Sequence, residues 1–259
     1  MSNPLRLDHD GGLAVLTIDF PPLNLWGDEM WAALPAALDA LAASPPRALL
    51  IRAEGRVVSA GVNVQHFQRL DEQSSLVVWQ QQLAMLQTLE ALPCPTVFAA
   101  HALTLTAAFE LALGCDVIVA ARSASFGLVE RRVGLTPSSG GVQRLAALAG
   151  ANRARDLVLS GDIVDADTMR EWGVVTRVYD DEAFDQSARD FALDLAAGPP
   201  LGFSATKQLV REFARGGVAA ADAVMPALAA SLFPTSDAQR ALAGFVEHGP
   251  RHTAEFEGR

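Results

Sequence analysis

The sequence has few cysteines, and its start does not look like a targeting signal. Cys94 and Cys115 are its only two cysteines, so the disulfide framework that stabilises small secreted domains is excluded. Residues 1–10 lack the basic start and the apolar run of a signal peptide. Together these features predict a protein of the reduced cytoplasm.

Basic residues are also scarce. The chain of 259 residues has 20 Lys and Arg against 30 Asp and Glu, which gives a net charge of −10 at pH 7. A negative protein is repelled by a phosphate backbone, so we expect no nucleic-acid partner. Only 19% of the residues are charged and 50% are hydrophobic, which excludes an intrinsically disordered chain. The apolar excess is expected in a large core or in subunit contacts.

One long stretch, residues 91–109, has no formal charge except on His101 when that side chain is protonated. A stretch of this length resembles a membrane span, but Pro93 and Pro95 interrupt it early. Long apolar stretches also form buried strands. We therefore predict buried strands here and no association with a membrane.

Patterns typical of strands and helices alternate along the first two thirds of the chain, which predicts a largely parallel sheet covered by helices. The predicted strands are residues 13–20, 48–53, 96–100, 116–121 and 174–179. The predicted helices between them are residues 28–41, 75–92, 106–114 and 166–172.

Helical patterns dominate the end of the sequence. They cover residues 183–197, 204–215, 219–232 and 236–247. The best candidate boundary is Gly198-Pro199-Pro200, which divides residues 1–198 from residues 199–259. The second part is rich in alanine and has few charges, so we expect a packing or oligomerisation element.

Three ionisable side chains stand in the apolar stretch 98–121. Glu110 has almost no polar neighbours on its helix, so its carboxylate should be paired, hydrogen-bonded or raised in pKa. A rim position, or a bond to a backbone amide or an arginine, is the structural alternative to catalysis. Asp116 lies where a helix gives way to a strand, which favours a turn or capping role, and His101 is interpreted as a structural histidine.

A second group of polar residues lies within residues 126–145, FGLVERRVGLTPSSGGVQRL. Glu130 is either a functional acid or a surface partner of Arg131 or Arg132. Ser138 or Ser139 would cap the helix that follows.

A third segment, residues 57–64, is rich in small side chains that let a ligand approach the backbone closely. Ser59 suggests a nucleophile, but no acid or histidine stands at a familiar spacing from it. The sequence has no Walker loop, no dinucleotide-binding glycine motif and no convincing Cys/His spacing for a metal.

Five stretches in this order resemble the enoyl-CoA hydratase/isomerase (crotonase) family, and the resemblance covers nearly the whole chain. The five stretches are PLNLWGDEM (22–30), VVSAGVNV (57–64), AAHALTLTAAFELALGCD (99–116), FGLVERRVGLTPSSGGVQRL (126–145) and RARDLVLSGDIVDADTMREWGVV (153–175).

The resemblance implies roles for particular residues. Val62 and Ala107 would supply the two backbone N–H groups of an oxyanion hole, and Glu110 and Glu130 would be the catalytic acid and base. Further residues of the matching motifs would contact the acyl-CoA: Ala60, Gly61, Asn63, Val64, Thr106 and Ala108. No tightly bound cofactor is implied, because coenzyme A is part of the substrate. Candidate partners for its phosphates are Lys207, Arg251 and Arg259.

The chain departs from the family pattern around these residues. Thr106-Ala107-Ala108 replaces a glycine triplet, which adds methyl groups near the thioester. An alanine in ordinary helix would carry no penalty there, whereas a side chain at positive φ would cost about 1 kcal/mol or more. Asn63 stands in place of an aspartate, His101-Ala102 in place of Asn-Gly, and Leu128-Val129 in place of Gln-Pro.

The resemblance implies an α/β fold, a crotonase-like spiral of ββα units over residues 1–198 with a C-terminal helical trimerisation region over residues 199–259. The implied function is an enoyl-CoA hydratase, an activity typical of fatty acid metabolism. The alternatives are an isomerase or another acyl-CoA enzyme of this fold, and a relative that binds acyl-CoA without turnover. The implied assembly is a homotrimer or a hexamer made of two trimers.

Overall fold

The computed structural model describes residues 3–250 and 252–259. Its chain starts with an antiparallel hairpin of β1 (Leu5–Asp10) and β2 (Leu13–Ile18), and α1 (Asp28–Ala43) follows. All six residues of β2 are buried, because this strand lies inside the sheet. The edge strand β1 was not predicted, since its outer half, 8–10, is polar and exposed.

The main sheet has six strands, in the order β1-β2-β3-β4-β6-β9, and every pair after the first is parallel. The largely parallel sheet predicted from the sequence is therefore confirmed. The four remaining strands are β3 (Ala48–Ala53), β4 (Thr96–Ala100), β6 (Val117–Ala121) and β9 (Arg177–Tyr179).

A second sheet of three short strands lies beside the first. It contains β5 (Leu103–Leu105), β7 (Ser125–Gly127) and β8 (Val164–Asp165), in that order. β4 lies in the large sheet, and β5, the next strand in the chain, lies in the small one. β6 and β7 are divided between the two sheets in the same way. Helical structure follows β4 and β5, and again follows β6 and β7, so the repeating ββα unit expected from the sequence is present.

Helices cover the two sheets. The helices between the strands are α2 (Val64–Phe67), α3 (Glu72–Ala91), α4 (Ala107–Leu113), α5 (Gly141–Ala149), α6 (Ala151–Ser160), α7 (Ala166–Glu171) and α8 (Phe184–Ala197), with short 3₁₀ turns at Glu130–Val133 and Asp181–Ala183. α1 packs against α3, and α4 packs against α5.

The chain ends in two helices, α9 (Pro200–Leu232) and α10 (Ser236–His248). Non-helical backbone at Gly216 and Gly217 breaks α9 where the sequence predicts a gap between two helices. The C-terminal part is tied back to the first part by Arg47, whose guanidinium donates to the carbonyl oxygens of Ala196 and Phe256, both at 2.6 Å. The division at residue 198 remains a prediction.

The apolar stretch 91–109 forms the end of α3, then β4 and β5, and the start of α4, so the predicted buried strands are confirmed. Over the described ranges, no single helix is long and apolar enough to cross a membrane. The pair α9 and α10, bent by 74°, meets that test of length and composition only when its two helices are taken together.

Candidate active site

Glu110 lies on α4, whose seven residues are all buried. Its side chain is only 3% exposed. Oε1 accepts two hydrogen bonds, from the backbone amide of Ser139 at 2.9 Å and from that of Gly141 at 2.8 Å. Of the expected alternatives, the bond to backbone amides is confirmed, and these amides fix the carboxylate in place. A Cβ on Gly141 would lie 2.6 Å from Cγ of Glu110, so only glycine lets α5 approach this closely.

The segment that leads into α5 serves the buried acid and does not cap the helix by a side chain. The expected cap at Ser138 or Ser139 is wrong: Gly140, at φ +101°, is the N-cap residue. The amide of Ser139 is directed at Glu110, and its hydroxyl donates to Oε1 of Gln82 at 2.5 Å. The side chains of Glu110 and Gln82 therefore accept the hydrogen bonds of the Ser139 amide and hydroxyl, and the hydroxyl is not used to cap the helix.

Glu130 begins the 3₁₀ turn that follows β7. The surface pairing considered from the sequence is wrong, because Arg131 and Arg132 donate instead to the carbonyl oxygens of Ser160 and Gly161. Oε2 of Glu130 is buried and has no hydrogen-bond partner within the part of the chain that the structure describes. An unpaired buried carboxyl oxygen is costly when the group is ionised, which favours the protonated form.

Burial changes the acidity of both glutamates. It raises the pKa of Glu110, and the two amides on Oε1 oppose the rise because they stabilise the carboxylate. Burial, and then the negative charge of Glu110, raise the pKa of Glu130 to about 8. The surroundings thus differ: Oε1 of Glu110 accepts two backbone amides, whereas Oε2 of Glu130 has no donor among the residues that the structure describes.

Both glutamates line one small cavity, together with Val62 and Ala107. The cavity leaves about 20 Å³ for water-sized spheres. That space is enough for one water molecule and too small for an acyl chain. Four residues predicted from distant parts of the sequence are therefore brought together around a space that fits water.

The amides of Val62 and Ala107 have no acceptor in the part of the chain that the structure describes. Ala107 is the first residue of α4, where backbone N–H groups have no partner within the helix and the helix dipole favours negative charge. The loop before α2 is bonded on both sides of Val62: Trp26 donates to the carbonyl of Gly61, and Asn63 donates to that of Trp26. The Val62 amide itself has no acceptor among the described residues.

The model of the enoyl-CoA hydratase/isomerase family matches residues 8–258, almost the whole chain. The chain belongs to this family. The sequence comparison and the site agree, since Val62, Ala107 and the two glutamates lie within three of the five motifs that carried the resemblance.

Relatives in the family differ in their reactions. A probable enoyl-CoA hydratase of Bacillus subtilis is 33% identical over 184 residues, which cover 70% of this chain and 71% of that protein. The 1,2-epoxyphenylacetyl-CoA isomerase of Escherichia coli is 33% identical over 205 residues, 77% of this chain and 78% of the relative. The chain is thus an acyl-CoA enzyme of the crotonase family.

Solved structures share the whole fold. A putative enoyl-CoA hydratase from Streptomyces coelicolor superposes with a TM-score of 0.92 at 28% identity, covering 99% of this chain and 94% of the other. An enoyl-CoA hydratase from Polaromonas superposes with a TM-score of 0.90 at 26% identity, covering 98% and 99%. The chain therefore has the α/β crotonase fold with C-terminal helices.

The unusual triplet of this family member has one strained position. Ala107 and Ala108 are helical, so their methyl groups carry no backbone penalty, as expected for ordinary helix. Thr106 has φ +50° and ψ −120°, a conformation that favours glycine. A non-glycine residue there costs on the order of 1–3 kcal/mol. The departure from glycine is thus tolerated at two positions and costly at one.

The other residues predicted to contact acyl-CoA lie around the cavity without lining it. Asn63 caps α2, accepting a hydrogen bond from the amide of Gln65 at 3.1 Å. Val64 is 48% exposed at the start of α2, and Ala60 is half-buried. Ser59 is fully buried and donates to the carbonyl of Asn24 at 2.7 Å, which identifies it as structural.

Two polar residues of the apolar stretch are structural, as predicted. His101 Nε2 lies 2.9 Å from the carbonyl oxygen of Gly55. Asp116 Oδ2 accepts from the amide and the hydroxyl of Thr96 at 2.8 and 2.9 Å, and from Nζ of Lys207 at 2.6 Å. These bonds hold the ends of neighbouring strands.

The basic residues suggested for the CoA phosphates have different surroundings in the structure. Lys207 is wrong for this role, because its side chain is 9% exposed and bonded to Asp116 and to the carbonyl of Cys94. Arg259 is exposed and pairs with Glu257. Arg251 lies outside the described residues.

Sequence reasoning missed four large side chains that line the cavity: Trp31, Phe67, Trp79 and Gln82. One of them, Gln82, could have been identified from the sequence pattern of its helix. Gln82 occupies the same helical stripe as Met85, Leu86 and Leu89, the other buried residues of α3. A polar residue at a core position of an amphipathic helix indicates a specific buried partner.

Proposed function

We propose that the protein is an enoyl-CoA hydratase that adds water across the 2,3 double bond of a 2-enoyl-CoA thioester. The observation that carries this proposal is the pair Glu110 and Glu130 at a cavity that fits one water molecule. Hydration needs a base for that water and an acid for the substrate carbon, and the two glutamates offer different surroundings for these tasks.

In this mechanism the carboxylate of Glu110 takes a proton from the water as its oxygen bonds to C3. The carboxyl of Glu130 gives its proton to C2, which completes the addition. Transfer of the proton from Glu110 back to Glu130 through the next water restores the starting state. The two amides on Oε1 stabilise the carboxylate of Glu110, whereas Oε2 of Glu130 has no donor among the described residues, which favours its protonated form.

The amides of Val62 and Ala107 would hold the thioester oxygen while negative charge develops on it. Fixed donors of this kind are worth more in a site from which water is excluded. The wall for the acyl-CoA would include the residues named from the family motifs, Ala60, Gly61, Asn63, Val64, Thr106 and Ala108.

The test is to mix the protein with crotonyl-CoA and longer 2-enoyl-CoA thioesters and to follow the enoyl absorbance and the product mass. A hydratase removes the absorbance and adds the mass of one water. An enoyl-CoA isomerase would move the double bond without changing the mass. Binding without either change would favour a non-catalytic relative, and no change with any thioester would contradict the proposal.

Hydration is expected to slow as the pH rises through 8. Glu130 has a pKa of about 8, so its carboxyl is protonated at neutral pH and loses above that value the proton it must give to C2. The value of kcat/KM for crotonyl-CoA, measured between about pH 6 and about pH 10, should fall about tenfold per unit on the alkaline side. A profile that stays flat above the pKa would contradict the acid role of Glu130.

We further propose that the helices of residues 199–259 join copies of this chain into a trimer or a hexamer. Large apolar side chains stay exposed along α9 and α10, including Phe213 at 55%, Phe233 at 64% and Phe245 at 54%. Exposed apolar surface of this kind is typical of protein contacts. Light scattering should give the mass of three or six chains, and a monomer at micromolar concentration would contradict this assembly.

A further inference from the structure

The two amides that hold the carboxylate of Glu110 are supported in different ways. The amide of Gly141 belongs to the first residue of α5, so the helix fixes its position. Arg144 of the same helix makes two hydrogen bonds of 2.7 Å with Glu90, which joins α5 to α3. The amide of Ser139 lies before the helix and lacks this support.

Ser139 lies in the segment 135–140, which leads into α5 without helix or strand structure. Among the described residues, the backbone of 136–139 makes no hydrogen bond to other backbone groups. Ser139 is fixed by its side chain instead, because its hydroxyl donates to Oε1 of Gln82 at 2.5 Å. Both residues are buried, at 5% and 4% exposure. The position of the Ser139 amide therefore depends on a contact with α3.

Loss of that contact would weaken the hydrogen bond from the Ser139 amide to Glu110. A hydrogen bond weakens steeply once its distance and angle depart from the preferred values. An amide that donates to a carboxylate stabilises the charged form, so a weaker bond makes the group easier to protonate. The contact between Gln82 and Ser139 thus acts on the acidity of Glu110, with which Gln82 has no hydrogen bond among the described residues.

We propose that Gln82 is a positioning residue: by accepting the hydrogen bond of the Ser139 hydroxyl, it keeps the Ser139 amide on the carboxylate of Glu110. Glu110 then stays ionised, and able to take a proton from water, over a wider range of pH. This inference rests on the proposed function for its effect on the rate, whereas the ionisation of Glu110 can be measured without turnover.

The test follows the titration of Glu110 by infrared spectroscopy, using the C=O band of the protonated carboxyl that Glu110→Gln removes. Gln82→Met removes the acceptor and keeps the length of the side chain. It should raise the pH at which Glu110 titrates by about one unit, a part of what one hydrogen bond to a charged group supplies.

Ser139→Ala removes the donor of the same hydrogen bond and should cause a shift in the same direction. The double variant should shift the titration no further than the larger of the two single changes, because only one contact is lost. Shifts that add would mean that Gln82 and Ser139 act on Glu110 separately, which would overturn the inference.

The same shift is expected in the hydration of crotonyl-CoA. In Gln82→Met, the acid side of the pH profile of kcat/KM should move up by about one unit, so that the rate falls about tenfold at low pH and little at the optimum. The alkaline side, assigned to Glu130, should stay in place. An effect that is only structural would lower the rate by the same factor at every pH.

Gln87→Met is the matched control, because Gln87 lies on the exposed side of α3 and the change should leave the titration and the pH profile unaltered. An unchanged titration of Glu110 in Gln82→Met would overturn the inference. A downward shift would also overturn it, since the Ser139 hydroxyl lies close enough to lower the pKa of Glu110 and would then have turned to it.

If Gln82→Met does not fold, Gln82→Asn takes its place with the same expected shift, because its amide is retained but ends one carbon short of the hydroxyl. The two measurements also separate this inference from the proposed reaction. An infrared shift without hydration of any enoyl thioester would reject the hydratase proposal alone. Hydration together with an unshifted titration of Glu110 in the Gln82 variant would reject this inference alone.

Discussion

Glu110→Gln and Glu130→Gln are each expected to lower kcat for the hydration of crotonyl-CoA by about 10²–10⁴-fold, the usual contribution of general acid–base catalysis. The amide of glutamine keeps the size of the side chain but neither takes nor gives the required proton. In Glu110→Gln, the amide oxygen can still accept from Ser139 and Gly141, so the loop should stay in place.

Glu72→Gln provides the control, since this glutamate lies in the exposed first turn of α3 and the change should leave kcat unaltered. Circular dichroism of all three variants checks that the fold is retained. A large loss in only one of the two site variants would favour a reaction with a single acid–base group, such as isomerisation. Full activity in both variants would reject the assigned roles.

Gly61→Ala is expected to lower kcat by about 10²–10³-fold, the cost of losing one oxyanion-hole donor. Gly61 has φ +110°, and an added Cβ would lie 3.1 Å from Oγ1 of Thr106. The backbone must therefore shift, and with it the amide of Val62, the next residue. The measurement is kcat with crotonyl-CoA, together with the melting temperature.

Gly11→Ala is the matched control for backbone strain. Gly11 also has positive φ, +59°, in the turn between β1 and β2, but an added Cβ there would meet nothing within 4 Å. This variant should lose about 1 kcal/mol of stability and keep its kcat. If Gly61→Ala lost stability alone and kept kcat, the Val62 amide would not be the donor.

Elements with strong local patterns were predicted well. β3 and β4 match their predicted bounds because both are short apolar runs, one of them preceded directly by Pro95. The three-residue strands β5 and β7 were missed, since so few residues show no alternation and their pairing depends on residues about twenty positions apart. Tertiary contacts, and not local propensity, decide such strands.

The acids of the site were easier to predict than its other parts. Glu110 stands out because a carboxylate in an apolar helix requires a physical explanation. Ser139 was misread because its capping ability is local, whereas the acceptors that take its amide and hydroxyl, Glu110 and Gln82, lie far away in sequence. Trp31 looks like an ordinary core residue until the cavity beside it is known.

The ion pair of Lys207 with Asp116 affects how the protein reacts chemically with acyl-CoA thioesters. Lys207 is the only lysine of the sequence, and the other basic side chains that carry a permanent charge are arginines. Thioesters transfer acyl groups to exposed lysine amines, whereas arginine is not a target of this chemistry. Because the single ammonium group is buried against Asp116, the chain offers acyl-CoA no exposed lysine to modify. The protein can therefore be exposed to reactive thioesters without accumulating acylated lysines on its surface.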